Sequence, residues 1–220
     1  MIGGLLPLAV VVAISPTTIT VVILMLLSGR RALISMVFAV GYMVGIVIDT
    51  LLWLLLGKGA GLSSSSSSGT VAWLQLVVGV LLILFAFDQW TKRPKAGETT
   101  RVPKWMAAMD DFTLIKSAAV SLVLSALRPK NVLLFGAAAV VIAAGQLGVV
   151  DSVVAIAVFT IISASTVLAL VIAGIVRKEK MRPLLTRLRS WLETNTTVMM
   201  SAVLLLIGVV EIGKGIEGIF

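Results

Sequence analysis

Long apolar runs alternate with short polar stretches along the whole chain. Six runs are long enough to matter: Leu5 to Leu27, Ala32 to Leu56, Val71 to Trp90, Ser117 to Ala144, Val150 to Val176, and Thr197 to Ile216. At roughly 1.5 Å of rise per residue, about 20 apolar residues cross a hydrocarbon core about 30 Å thick. The pattern therefore predicts an all-α, polytopic membrane protein with six transmembrane helices. The first run has no Lys or Arg before it and is too long for the apolar region of a signal peptide. It reads as an uncleaved span.

The polar stretches set the topology. Connections one, three and five hold Arg30 and Arg31, then Lys92, Arg93, Lys95, Arg101, Lys104 and Lys116, then Arg177, Lys178, Lys180, Arg182, Arg187 and Arg189. Those fourteen cations share one face, while the other face has only Lys58 and Lys214. Positive residues mark the cytoplasmic side, so both termini are expected outside a bacterial inner membrane. The net charge of +8 then reflects topology and anionic lipid, and nucleic acid is excluded as a partner.

Two basic connections show helical periodicity. Trp105, Met109, Phe112 and Ile115 recur on one face of 104–116; Leu184, Leu185, Leu188, Trp191 and Leu192 do so within Met181 to Glu193. Both are expected to be short helices lying on the inner leaflet. Ser63 to Ser68 is low-complexity and expected to be a loop.

Composition narrows the chemistry. Hydrophobic residues make up 59% and charged ones 13%, against about 45–50% and about 25% in soluble domains. Cysteine and histidine are both absent, which removes disulfides, thiolate chemistry and the commonest metal ligand and general base. No metal, cofactor or enzymatic activity is expected, and no P-loop pattern provides for nucleotide hydrolysis.

The chain also reads as two halves, residues 1–90 and 117–220, joined by a linker over 91–116. Three spans per half would invert the second half relative to the first. Pro16 lies near the middle of the first span and Pro129 near the middle of the fourth. Spans three and six each end an apolar run with an acid, in Phe87-Asp88 and Val210-Glu211. Proline inside a helix frees a backbone carbonyl, which in lipid must face protein or a water-filled cavity. Matched breaks in inverted halves point to a transporter's central site, although each could be an ordinary kink satisfied by nearby hydroxyls.

Polar residues near those breaks are the candidate substrate contacts: Ser15, Pro16, Thr17 and Thr18; Ser125, Arg128, Pro129, Lys130 and Asn131; and Ser163, Ser165 and Thr166. Arg128 and Lys130 each cost about 2.5–3.5 kcal/mol at a helix centre, so they need water, a counter-charge or an anionic substrate. Asp49 and Glu211 lie about 7–8 Å to the outer side of centre by residue count. Lys130 is expected to pair with one of them, either as a static register pair or as a switch. Asp49, Glu211 and Lys130 are thus the candidates for proton or ion coupling. Gly41 and Gly45 form a small-residue face suited to close helix packing, within the fold or in a homodimer.

Several stretches resemble a known family. Ala13-Ile14-Ser15-Pro16 is similar to the first-helix signature of the LysE exporter superfamily, and Leu5-Leu6-Pro7-Leu8 together with it looks like one branch of that superfamily. Pro103-Lys104-Trp105-Met106 with Asp111-Phe112-Thr113, and Leu124-Ser125-Ala126-Leu127 with Pro129-Lys130-Asn131, look like its GAP branch of the Sap (sulfolipid-1-addressing) type. Ser165-Thr166-Val167-Leu168 and the end, Ile207-Gly208-Val209-Val210 with Ile212-Gly213-Lys214-Gly215-Ile216, extend the resemblance over nearly the whole chain. Arg128 departs from the family pattern, which favours Asn before the proline. The resemblance implies an actinobacterial inner-membrane protein that helps export envelope glycolipids or peptidoglycolipids. The thiol-transferring members of the superfamily rely on paired cysteines, which this chain lacks.

Three readings follow. The first is an exporter of an anionic or amphipathic envelope lipid, with membrane lipids as its surroundings. The second is an exporter of amino acids or other small solutes. The third is a non-transporting scaffold within a lipid-export machinery.

Overall fold

The computed structural model describes residues 2–27, 31–59, 68–91, 113–126, 128–145 and 147–219. These residues form eight α-helices: α1 (Ile2–Ala13), α2 (Pro16–Leu27), α3 (Arg31–Gly59), α4 (Ser68–Thr91), α5 (Leu114–Ala126), α6 (Pro129–Ala144), α7 (Val149–Val176) and α8 (Lys178–Ile219). Four contain stretches long and apolar enough to cross a membrane, within α3, α4, α7 and α8. The pairs α1–α2 and α5–α6 are bent by 49° and 64°, and counting each as one broken span gives six.

The surface confirms the solvent. Leu55, Leu56, Trp73, Leu84, Phe87, Ile161, Ile172 and Leu206 all stand exposed on the outside of the bundle. Water would make so many exposed apolar side chains untenable, whereas lipid tails accept them. The protein is a multi-pass membrane protein.

Close helix contacts depend on small residues. The helices α3 and α5 run in the same direction, and the Ser117 hydroxyl donates to the Ile34 carbonyl at 2.8 Å. Further along, a Cβ on Gly41 would overlap Ser121 Oγ, and one on Gly45 would overlap Ser125 Oγ. The Gly41/Gly45 face is therefore filled from within the chain. The helices α4 and α8 run antiparallel and cross where a Cβ on Gly79 would lie 2.8 Å from the Gly208 carbonyl oxygen, and one on Gly208 2.9 Å from that of Gly79. A Cβ on Gly215 would likewise come within 2.8 Å of the Ala72 carbonyl. Without a hydrophobic drive inside lipid, such backbone approach supplies the attraction between helices. Elsewhere α7 packs along α1 and α2, and α3 meets α7.

Two expectations are altered. Met181 to Glu193 is no separate surface helix but the first part of α8, which is 42 residues long. No glycine or proline interrupts the join. Thr194, Asn195 and Thr196 bond back to the carbonyls of Ser190, Trp191 and Leu192 within one unbroken helix. At about 1.5 Å per residue, α8 spans roughly 63 Å and must project beyond the bilayer. Ser68 begins α4, whereas Ser63 to Ser67 and most of the 104–116 segment lie outside the described residues.

Candidate functional site

Each break is held together by its own polar residues. At the first, the Ser15 carbonyl accepts the Ile19 N–H at 3.0 Å, so Ser15 caps α2. The Thr18 hydroxyl donates to Ser15 Oγ at 3.1 Å, and Thr20 donates to the Pro16 carbonyl at 2.9 Å. Ser15, Pro16 and Thr18 are buried, with Thr17 half-buried beside them. At the second break, Arg128 is extended (φ −83°, ψ 123°) and its carbonyl accepts the Val132 N–H.

The amide of Asn131 closes this second break. It donates to the carbonyls of Leu124 and Ser125, at 3.0 and 3.1 Å, in the last turn of α5. Those acceptors belong to a helix end that has no following turn to satisfy it. Asn131→Asp removes the donor and is expected to destabilise the fold by about 1–3 kcal/mol, the usual cost of a stranded buried acceptor. Thermal unfolding in detergent would measure it, and a variant as stable as the parent would show the bridge to be dispensable.

Between the breaks lies a cavity of about 200 Å³. Thr17 of α2, Arg128, and Lys130 of α6 line one side; Phe85 and Gln89 of α4 and Thr196, Met200 and Leu204 of α8 line the other. Lys130 is only 8% exposed, and its ammonium group has no hydrogen-bond partner. The lining residues include no carboxylate. Both α2 and α6 begin here, so their unsatisfied N–H groups add positive potential to that of the two side chains. The cavity is therefore electropositive.

The acids lie elsewhere. Glu211, 1% exposed, is paired with Lys214 one turn along α8 at 2.7 Å. Asp49 is half-buried, with one carboxylate oxygen enclosed and without a hydrogen-bond partner. In this conformation Lys130 is paired with neither acid. Glu211 instead has a nearer cation on its own helix, and the enclosed oxygen of Asp49 has no hydrogen-bond partner.

The remaining candidates divide. Ser163 is buried with an unpartnered hydroxyl, as is Thr160 a turn earlier. Thr166 is half-buried. Ser165 is exposed on the bundle surface, and its hydroxyl donates to the Ile162 carbonyl. Ser125 is buried against Gly45 and donates to the Leu122 carbonyl. The breaks thus bring Thr17, Arg128 and Lys130 to one cavity, but not the α7 hydroxyls. Sequence reasoning passed over Gln89, Thr196 and Met200, which sit near span ends and carry no signal of depth. Tyr42, the sole tyrosine of the chain, is fully buried and stacked on Phe38 with centroids 6.1 Å apart, and it does not line the cavity.

A family model described as "Sap, sulfolipid-1-addressing protein" matches residues 5–217. The chain belongs to the Sap family. The match includes both broken spans and every cavity-lining residue, so the cationic cavity lies wholly within the Sap-type region. No curated protein and no solved structure matches the chain. Sap membership and the apolar helices fit a membrane protein concerned with lipid addressing or export.

Proposed function

We propose that this protein is a LysE-type exporter of the bacterial inner membrane that moves an anionic, amphipathic envelope lipid, a glycolipid or peptidoglycolipid, outward. The carrying observation is the Lys130 ammonium group, buried without a partner beside Arg128 in a cavity between two broken helices. A buried cation left unpaired is costly, and a transported anion would offset that cost only while bound. Such a site binds and releases without any covalent step, so the protein is not proposed as an enzyme.

Reciprocal packing supports an inverted-repeat architecture. One long helix, α3, packs along both pieces of the second broken span, as α7 packs along both pieces of the first. The remaining pair, α4 and α8, meets through one glycine from each half. Two three-helix units of opposite orientation would produce this pairing, with the basic connections in the cytoplasm and both termini outside. Asp49 is the proposed proton-coupling group, because one oxygen of its half-buried carboxylate is enclosed without a hydrogen-bond partner, whereas Glu211 is already paired with Lys214.

The test is reconstitution into liposomes with labelled anionic glycolipid and labelled amino acids side by side, with and without a pH gradient. Glycolipid should move, faster with the gradient, and Asp49→Asn should remove the acceleration. Movement of amino acids alone would transfer the assignment to small solutes. Movement of neither would leave a scaffold of the export machinery.

A further inference from the structure

A second cavity lies on the other side of the same helix pair. It is an apolar groove of about 320 Å³ lined by Ala86, Phe87 and Trp90 of α4 and by Ser201, Ala202 and Leu205 of α8. Apart from the Trp90 indole, its lining offers only one polar side chain, Ser201, whose hydroxyl bonds the Val198 carbonyl of its own helix at 2.8 Å. Phe87, Ala202 and Leu205 are exposed on the outside of the bundle, which places the groove in contact with lipid.

The cationic cavity uses the opposite faces of the same stretches: Phe85 and Gln89 of α4, Met200 and Leu204 of α8. One helix pair therefore separates the lipid-facing groove from Arg128 and Lys130. The seam of that pair contains Ala86 and Ser201, both small and buried. Toward the termini the pair is clamped by its glycine contacts, Gly79 with Gly208 and Gly215 with Ala72. The half containing the two cavities lies on the side of the basic connections and has no glycine clamp among its described residues.

We propose that this half of the α4–α8 seam is a lateral portal, through which an anionic lipid places its headgroup at Arg128 and Lys130 while its acyl chain remains in the apolar groove. The inference rests on the headgroup role proposed for those two cations and adds the route and the chain site. Lipid tails are as apolar as the groove, so the groove alone cannot select its occupant. Selection must come from the headgroup charge, which interacts strongly with a cation in a low-dielectric interior. Occupancy of the groove should therefore depend on a charge located behind the seam.

That dependence is measurable in phosphatidylcholine proteoliposomes containing a trace of phosphatidylglycerol with a photoreactive diazirine midway along one acyl chain. The same diazirine on phosphatidylcholine is the comparison probe. Labelling of the groove peptides is expected to be at least fivefold higher for the anionic probe. Lys130→Gln should reduce it to the phosphatidylcholine level. Ala202→Trp should abolish groove labelling, and the exposure of Ala202 lets the larger ring be accommodated without repacking. Equal labelling by the two probes would make the groove a site of ordinary boundary lipid and overturn the portal. Charge-selective, Lys130-dependent labelling on another seam, such as α2 with α7, would overturn the portal while leaving the headgroup site standing. Absence of charge selectivity at every seam would overturn both.

Discussion

Lys130→Met is expected to unfold at a higher temperature than the parent protein while losing its response to anionic lipid. Both effects have one cause. The Lys130 ammonium group is buried, has no hydrogen-bond partner and faces a cavity whose lining residues include no carboxylate. Its burial costs about 2.5–3.5 kcal/mol on the insertion scale, and methionine removes that penalty with little change in volume. For a chain of this size such a gain corresponds to a rise of roughly 5–14 °C in Tm. Bound anionic lipid, by contrast, should stabilise the parent by an amount that grows with the logarithm of ligand concentration over its dissociation constant, and the variant hardly at all. Unfolding in neutral detergent, with and without added phosphatidylglycerol, measures both halves. A variant less stable than the parent in neutral detergent would mean that Lys130 already has an anionic partner within the protein, and the anion site would be lost with it.

Gly208→Val should have the opposite character, with a large loss of folded protein and no gain. A Cβ at Gly208 would lie 2.9 Å from the Gly79 carbonyl oxygen and 2.6 Å from Ile83 Cγ1. The isoleucine can rotate away, but the carbonyl belongs to the α4 ladder and cannot. The two helices must separate, at a cost of about 1–3 kcal/mol or more for overpacking. Lost backbone contact along the seam adds to that cost, since dispersion is the main attraction between helices in lipid. Gly213→Ala is the control, because nothing lies within 4 Å of the Cβ it would add to the same helix. It should be neutral or slightly stabilising through helix propensity. Monodisperse yield and Tm would separate the two variants, and equal behaviour would show that the crossing tolerates a wider spacing.

These two results bear on different parts of one design. The glycine crossing fixes the helices that wall the cavity, and the unpaired cation leaves the cavity in need of a ligand. Stability is gained at the first and given up at the second, a division common where a site must bind and release.

Much of the fold was legible in advance. Each span is a run of apolar residues long enough for the bilayer, and both breaks fall at Pro16 and Pro129, where the chain loses an N–H. The family too was legible, because the Ser-Ala-Leu and Pro-Lys-Asn block and its companions are local strings of residues. What failed in the sequence reading was direction. Ser165 and Ser163 are two residues apart on α7, yet one is exposed and the other buried, since successive helical positions differ by about 100°. Asp49 and Glu211 were matched to Lys130 by depth, but depth does not report rotation, and Glu211 is paired with Lys214 on its own helix. The Gly41/Gly45 face was equally suited to a second copy or to this chain, and only packing assigned it to α5.

The sequence by itself determined which stretches are apolar enough to cross a membrane, where two of them break and which connections are basic. Those features depend on hydrophobic length, proline chemistry and charge, all of which are local. The tertiary structure decided that Asn131 bridges the end of α5, that Glu211 has Lys214, and that Lys130 has no partner. These outcomes depend on how each helix is rotated against its neighbours, a property fixed by the fit of whole surfaces.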